Sequence, residues 1–253
     1  MGSDNAKSTA RVIDRSLPEI HPLCSKLSRL DMLEFCWMLK SAGTDIIEIS
    51  GEILAILGKL PEGLDFIVRV RTEDDVALCV RSRVKRIVLD EALLESGAAG
   101  LIKSGDFTAA LEVRANSIDG ICRLEQLVDL CNFPLVGCIR ILGLDAAVSD
   151  EWLGAARKVR SVTGRLLDIC AGNAFSMGTS TSLEGMAGGM DFVTASFGGY
   201  GGFTPLEELL SALKARYEGM AEADLGMLPG LRDFISGHVR RRLFRRGEDD
   251  PLS

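Results

Sequence analysis

Short apolar runs rich in β-branched residues alternate along the chain with longer segments of helical periodicity. Most of these runs are apolar almost throughout and carry a polar residue at the carboxyl end. Strands that are buried on both faces of a parallel sheet have this pattern. It predicts strands at Arg11–Leu17, Asp45–Ser50, Phe66–Val70, Arg86–Asp90, Ala110–Asn116, Cys138–Leu144, Leu166–Asn173 and Phe192–Phe197.

Helical patterns fill the intervals between these strands. Within Ser28–Ala42, the positions of Met32, Phe35 and Leu39 form one apolar stripe, and Gly43 ends the segment. Leu206–Arg216 has a similar stripe and follows a proline. Repeated strand-then-helix units over about 220 residues predict a (β/α)₈ barrel, and an open, doubly wound sheet is the alternative.

The predicted barrel covers residues 11–219, between a flexible N-terminus (1–10) and a C-terminal extension (220–253). The extension begins with a stretch resembling a linker, Met220–Gly230, and continues as a basic helix over Leu231–Arg246. That helix has one apolar stripe, which predicts packing on the barrel or on a neighbouring subunit. Docking of its arginines to an acidic partner chain is the alternative.

Composition narrows the classes of function. The 253 residues carry a net charge of −7, which argues against nucleic-acid and membrane binding. The chain has seven cysteines and no CxxC motif, so reduced thiols are expected. The N-terminal residues lack an apolar signal sequence and no apolar run could span a bilayer, so we expect a cytoplasmic protein.

Function in a barrel is expected at the carboxyl ends of the strands. Arg69, Arg71 and Arg114 lie there and could hold a substrate that carries a carboxylate, with Glu48 as a candidate acid/base group. A salt-bridge layer across the barrel mouth is the alternative, because half of these side chains face outward. The other polar residues at strand ends are Asp14, Asp90, Asn116, Asp145 and Asn173.

Three further features are candidates for chemistry. The glycine-rich loop, defined as residues 198–202, contains Gly198, Gly199, Gly201 and Gly202 and precedes a helix, so it could bind an anion or form a tight turn. His21 follows the first strand and is a second candidate acid/base group. Cys170 is expected to be a buried, unreactive thiol.

Four stretches together resemble the homocitrate synthase, isopropylmalate synthase and HMG-CoA lyase family, with nitrogen-fixation homocitrate synthases the most similar. Residues 12–17 resemble the family's first-strand motif Asp-Thr-Thr-Leu-Arg-Asp-Gly, and residues 33–50 resemble its second strand and the preceding helix. Residues 167–183 and then 189–193 resemble the His-x-His-Asn-Asp strand and the helix after it. Residues 198–210 resemble the glycine loop and the Leu-Glu-Glu helix.

The resemblance implies an enzyme that condenses acetyl-CoA with a 2-oxo acid, using a divalent ion such as Mg²⁺, Mn²⁺ or Zn²⁺. Asp14 matches a metal ligand, and Asn173 matches the family asparagine in a substrate-binding position. The two metal-binding histidines are Cys170 and Gly172 in this chain. The family arginine is Pro18, and the late Gly-Asn ligand has no counterpart.

Three hypotheses follow from this comparison. The chain is an acyltransferase with a degenerate metal site, whose missing groups come from a partner chain or from a rearranged site of Asp14, Glu48 and Asn173. Alternatively, it is an inactive relative that serves as a partner or regulatory subunit. The third hypothesis is a different barrel chemistry that uses His21 or Cys170. The resemblance also implies a homodimer, or a hetero-oligomer with a catalytic family member.

Overall fold

The structure of the chain is a computed structural model. The structure describes residues 10–24, 27–95, 100–102, 105–114, 135–143, 150–216 and 223–248. Outside the described residues lie the predicted flexible N-terminus except Ala10, residues 220–222 of the predicted linker, Asn116 and Asp145.

Eight parallel strands close into a barrel in which each strand pairs with the next, and β8 pairs with β1. The predicted (β/α)₈ barrel is therefore confirmed, and closure excludes the open sheet. The strands are β1 (Arg11–Asp14), β2 (Ile46–Ser50), β3 (Phe66–Arg69), β4 (Arg86–Asp90), β5 (Thr108–Arg114), β6 (Val136–Leu142), β7 (Leu166–Cys170) and β8 (Phe192–Ala195).

Helices follow the strands and cover the outside of the barrel. Those in the described residues are α1 (Ser16–Ile20), α2 (Arg29–Ala42), α3 (Gly51–Leu57), α4 (Glu73–Arg81), α5 (Glu91–Glu95), α6 (Asp150–Thr163), α7 (Gly178–Ala187), α8 (Leu206–Arg216) and α9 (Met227–Glu248). Short 3₁₀ segments lie at His21–Leu23, Ala174–Ser176 and Phe197–Gly202. No helix in the described ranges has both the length and the apolar character needed to cross a membrane.

Local sequence signals explain where α2 begins and ends. The Ser28 hydroxyl accepts a hydrogen bond from the Asp31 amide, and the Asp31 carboxylate accepts one from the Ser28 amide. Gly43 ends the helix with φ of 114°, a left-handed conformation that favours glycine. These two signals fix α2 within one residue of the predicted segment.

Two strands end earlier than the apolar pattern predicts. The first predicted strand extends to Leu17, but β1 ends at Asp14 because the following residues turn into α1, with Pro18 in its first turn. The seventh predicted strand extends to Asn173, but β7 ends at Cys170. An apolar run does not distinguish a strand from the buried residues that follow it.

The C-terminal helix α9 packs on α2 and starts one turn earlier than predicted. It begins at Met227, within the stretch predicted as a linker, because proline at position 229 is tolerated in a first turn. Leu231 and Ile235 are buried, and the Phe234 ring lies 5.5 Å from that of Phe35. The predicted apolar stripe therefore packs on the chain's own barrel.

Candidate active site at the barrel mouth

The barrel interior has an apolar layer beneath a charged one. The apolar layer consists of Ile13, Ile46, Ile67, Val88, Ala110 and Cys138. Side chains alternate between the two faces of a strand, so the next inward position lies two residues further along. On five strands that position holds a charged residue: Glu48, Arg69, Asp90, Glu112 and Arg140. Asp90 is exposed, and the other four form a charged layer. The charged layer therefore lies at the carboxyl ends of the strands, which is the barrel mouth.

Arg140 is the centre of this charged layer and has no exposed side-chain surface. Its Nε donates to Asp168 Oδ2 over 2.6 Å, and its Nη1 donates to Glu48 Oε2. The same Nη1 lies 3.8 Å from Glu112 Oε2. One guanidinium thus joins carboxylates from three other strands, β2, β5 and β7.

Arg69 closes the other side of the layer. Its Nε donates to Glu48 Oε1 over 2.7 Å, and its two Nη atoms form a bidentate pair with Glu112 at 2.9 and 2.7 Å. Burial alone would raise the pKa of Glu48, but Arg69 and Arg140 outweigh it and hold that pKa well below its usual range. Glu48 is therefore an ionised member of a buried ion-pair network.

Arg15 adds a third guanidinium immediately after β1, and it is 3% exposed. Its Nη1 donates to Cys170 Sγ over 3.3 Å, and its Nη2 donates to Glu19 Oε1 over 3.0 Å. The guanidinium carbon lies 3.8 Å from the centre of the Phe203 ring, a cation–π contact. Burial raises the pKa of the Cys170 thiol to about 11, so this cysteine is an unreactive thiol at neutral pH.

Asp14, the predicted metal ligand, is fully buried but does not join the charged layer. Its Oδ1 accepts from the Ser16 amide at 3.0 Å and its Oδ2 accepts from the Ser16 hydroxyl at 2.5 Å. The Ser16 hydroxyl also accepts from the Phe197 amide at 2.6 Å. Burial raises the pKa of Asp14 to about 7, and the bonds from Ser16 only partly offset it. Asp14 thereby links the end of β1 to the loop after β8.

The glycine-rich loop forms a tight turn beside the residues that follow β1. Its four glycines have φ values of 66°, 66°, 75° and 78°. The Gly198 amide donates to Glu207 Oε2 over 2.9 Å, and the Gly199 amide donates to the Ser196 carbonyl over the same distance. A Cβ atom on Gly201 would lie 2.8 Å from Glu19 Oε2. The Gly198 and Gly199 amides, which could have bound an anion, thus already donate hydrogen bonds within the chain.

The other predicted site residues lie apart from the charged layer. Arg71 and Arg114 are exposed, so Arg69 alone of the three predicted arginines enters the layer. His21 Nδ1 lies 3.8 Å from Glu52 Oε2. Asn173 Oδ1 accepts from the Gly178 amide at 3.1 Å and therefore serves a turn. Asp90 is exposed and caps α5 through the Leu93 amide.

Four residues that complete the layer were not predicted from the sequence. These are Arg15, Glu112, Arg140 and Asp168. The last three carried a signal, because Arg140 and Asp168 are each the one charge of their strand and Glu112 lies between two apolar residues of β5. In such a strand a charge can be tolerated only with a partner nearby. Arg15 carried no comparable signal, since its direction depends on the turn that follows β1.

These residues do not fit a divalent metal ion. Both Asp14 oxygens accept hydrogen bonds from Ser16, and Cys170 Sγ accepts one from Arg15. Each carboxylate oxygen of Glu48 accepts a hydrogen bond from an arginine, Oε1 from Arg69 and Oε2 from Arg140. Across the part of the chain that the structure describes, no three His, Cys, Asp or Glu side chains are grouped so that they could hold a metal.

The chain is similar to a homocitrate synthase subunit in sequence and to solved barrels in structure. No family model matches the chain. The omega subunit of homocitrate synthase from Clostridium pasteurianum is 24% identical over 238 residues, which are 92% of this chain and 67% of that protein. HMG-CoA lyase from Pseudomonas aeruginosa aligns with a TM-score of 0.68 at 13% identity, over 95% of this chain and 99% of that one.

A third similar structure is the carboxyl transferase domain of Rhizobium etli pyruvate carboxylase, solved with oxalate. It aligns with a TM-score of 0.71 at 12% identity, over 93% of this chain and 48% of that one. The chain thus shares its barrel fold with HMG-CoA lyases. It is related in sequence to a homocitrate synthase subunit, and the resemblance seen in its motifs is confirmed.

Proposed function

We propose that this chain is a non-catalytic subunit of a homocitrate-synthase-type acyltransferase. In this assembly a second chain supplies the metal ion and the groups that condense acetyl-CoA with a 2-oxo acid. The observation that carries the proposal is that the charged side chains at the barrel mouth are already paired with one another. The relationship to a protein named as an omega subunit supports it.

The state of Glu48 argues against unaided catalysis. A general base must take up a proton during the reaction, which is most effective when its pKa is near the working pH. Two guanidinium groups hold the pKa of Glu48 far below that range. Glu48 therefore serves as a counter-ion, and His21 lies beside a different carboxylate, that of Glu52.

A rearranged site of Asp14, Glu48 and Asn173 is not supported either. Asp14 is bound to Ser16, and Asn173 is bound to the Gly178 amide. The three side chains thus have separate partners and separate structural roles. No observation favours new chemistry at Cys170, whose thiol pKa is raised.

A reconstitution experiment tests the proposal. CoA release from acetyl-CoA and 2-oxoglutarate would be followed with a thiol reagent for this chain alone, for a homologous chain with an intact His-x-His-Asn motif, and for the mixture. We expect no CoA release from this chain alone and faster release from the mixture than from the homologue alone. Substituting the metal-binding histidines of the homologue should abolish release in both samples.

Two results would overturn the proposal. One is metal-dependent CoA release by the isolated chain at the rate of a complete enzyme. The other is a mixture that is no faster than the homologue alone and in which the two chains do not co-elute on gel filtration.

A further inference from the structure

Two carboxylates and one thiol surround the guanidinium of Arg15. Cys170 Sγ lies 3.3 Å from Nη1, Glu19 Oε1 lies 3.0 Å from Nη2, and Glu112 Oε2 lies 3.9 Å from Nη1. The Phe203 ring covers the face of the guanidinium. A thiol, two carboxylates and an aromatic ring from different parts of the chain therefore enclose one positive charge.

The positive charge of Arg15 offsets negative charge from the carboxylates at the barrel mouth. The carboxylates of Glu48, Glu112 and Asp168 lie in the same charged layer, and Arg69 and Arg140 bind them directly. Without Arg15, the guanidinium groups of Arg69 and Arg140 would have to balance the charge of these three carboxylates and of Glu19. Buried carboxylates require a nearby positive charge, which either a side chain or a metal ion can provide.

A guanidinium differs from a metal ion in ways that matter here. It stays protonated at every physiological pH, it cannot dissociate from the chain, and it donates hydrogen bonds in fixed directions. A divalent cation would need to approach the same carboxylate oxygens, and two like charges would then repel at contact distance. Arg15 and a divalent ion therefore exclude each other at this position.

We propose that Arg15 replaces a divalent cation at the barrel mouth, so that the barrel neither needs nor binds one there. This inference concerns the chain's own mouth and does not rest on the proposed two-chain function. A chain that acts alone and a chain that acts as a subunit would both have this built-in charge.

A Mn²⁺ titration of the complete wild-type chain is the first test. Free Mn²⁺ is counted by electron paramagnetic resonance, and thermal unfolding is followed with Mn²⁺, with Mg²⁺ and with EDTA. We expect no stoichiometric Mn²⁺ binding and the same unfolding temperature in all three conditions. One equivalent of Mn²⁺ bound per chain, with stabilisation that EDTA removes, would overturn the proposal.

Substitution of Arg15 is the second test. Arg15→Ala removes the charge and opens space beside Glu19, Glu112 and Cys170. We expect this variant to bind Mn²⁺ at least about tenfold more tightly than the wild-type chain and to be stabilised by it. Arg15→Lys keeps a positive charge and should remain insensitive to Mn²⁺. Arg81→Ala, which removes an exposed arginine from α4, is the matched control.

The test requires an Arg15 variant that is neutral and folded. Circular dichroism establishes that each variant folds, and Arg15→Gln, which keeps more of the side-chain volume, substitutes for Arg15→Ala if the alanine variant does not. A folded neutral variant that responds to Mn²⁺ no more than the wild-type chain would overturn the proposal. These readouts do not involve CoA release, so failure here and failure of the two-chain function are distinguishable.

Discussion

Replacing Arg140 by methionine should destabilise the barrel more than any surface substitution. Methionine keeps part of the length of the side chain but removes the charge that joins Glu48 and Asp168. Both carboxylates have no exposed side-chain surface, so neither can recover its hydration without unfolding. Removing one partner of a buried ion pair costs about 3–5 kcal/mol of unfolding free energy.

The assay is equilibrium unfolding in urea at pH 7, with Arg86→Met as the control. Arg86 pairs with Asp65 over 2.9 Å, but these side chains are 32% and 49% exposed. An exposed pair contributes about 0–1 kcal/mol. The expected difference between the two variants is therefore a few kcal/mol, although each loses one arginine at a strand.

The effect of Arg140→Met on the unfolding free energy should depend on pH in a definite direction. The folded-state pKa of Glu48 is lowered, so its contribution to stability is present above the unfolded-state pKa and is lost as pH falls through the folded-state pKa. In Arg140→Met that pKa rises, and protonation then relieves the uncompensated charge. The difference in unfolding free energy between wild type and Arg140→Met should therefore become smaller from pH 7 to pH 5. Two results would refute the reasoning. One is a loss of unfolding free energy in Arg140→Met that is no larger than the loss in Arg86→Met. The other is a loss that grows as the pH is lowered.

Three further predictions concern separate parts of the mouth. The raised pKa of Asp14 contributes stability that is complete below about pH 4 and is lost as pH rises through about 7. Asp14→Asn should therefore flatten the stability profile from pH 5 to 8, whereas an unchanged slope would contradict the assigned pKa. Gly201→Ala should cost about 1–3 kcal/mol in thermal unfolding, because φ is 75° and the new methyl group would meet Glu19 and Phe203. Gly154→Ala, in open space on α6, should instead stabilise by about 0.5–1 kcal/mol. A thiol reagent followed by peptide mass spectrometry should modify the partly exposed Cys24 well before the buried Cys170, and equal rates would contradict the burial of Cys170.

The fold could be predicted from the sequence because parallel strands buried on both faces leave a strong apolar signal. All eight predicted strands overlap an observed one. Their ends were harder to predict. Leu17 continues the apolar pattern of β1 but belongs to α1, and only the tertiary packing of α1 against the loop after β8 decides between the two.

The site was predictable to a smaller extent. Glu48 and Arg69 were identified from their positions at strand ends, and the salt-bridge alternative describes how they are arranged. Asp14 was assigned to the mouth, yet its carboxylate binds Ser16, because residue 14 alternates with the inward-facing Ile13. The direction of one side chain thus decides whether an aspartate is a metal ligand or part of a turn.

The central claim is that the chain's own arginines neutralise the mouth and that no divalent ion binds there. The most direct test is a crystal structure of the protein soaked in Mn²⁺, with anomalous diffraction recorded to locate the metal. We predict no anomalous peak among Glu19, Glu112 and Cys170, with the Arg15 guanidinium in contact with Cys170 Sγ. An anomalous peak in that space, with the Arg15 side chain turned away, would contradict the account.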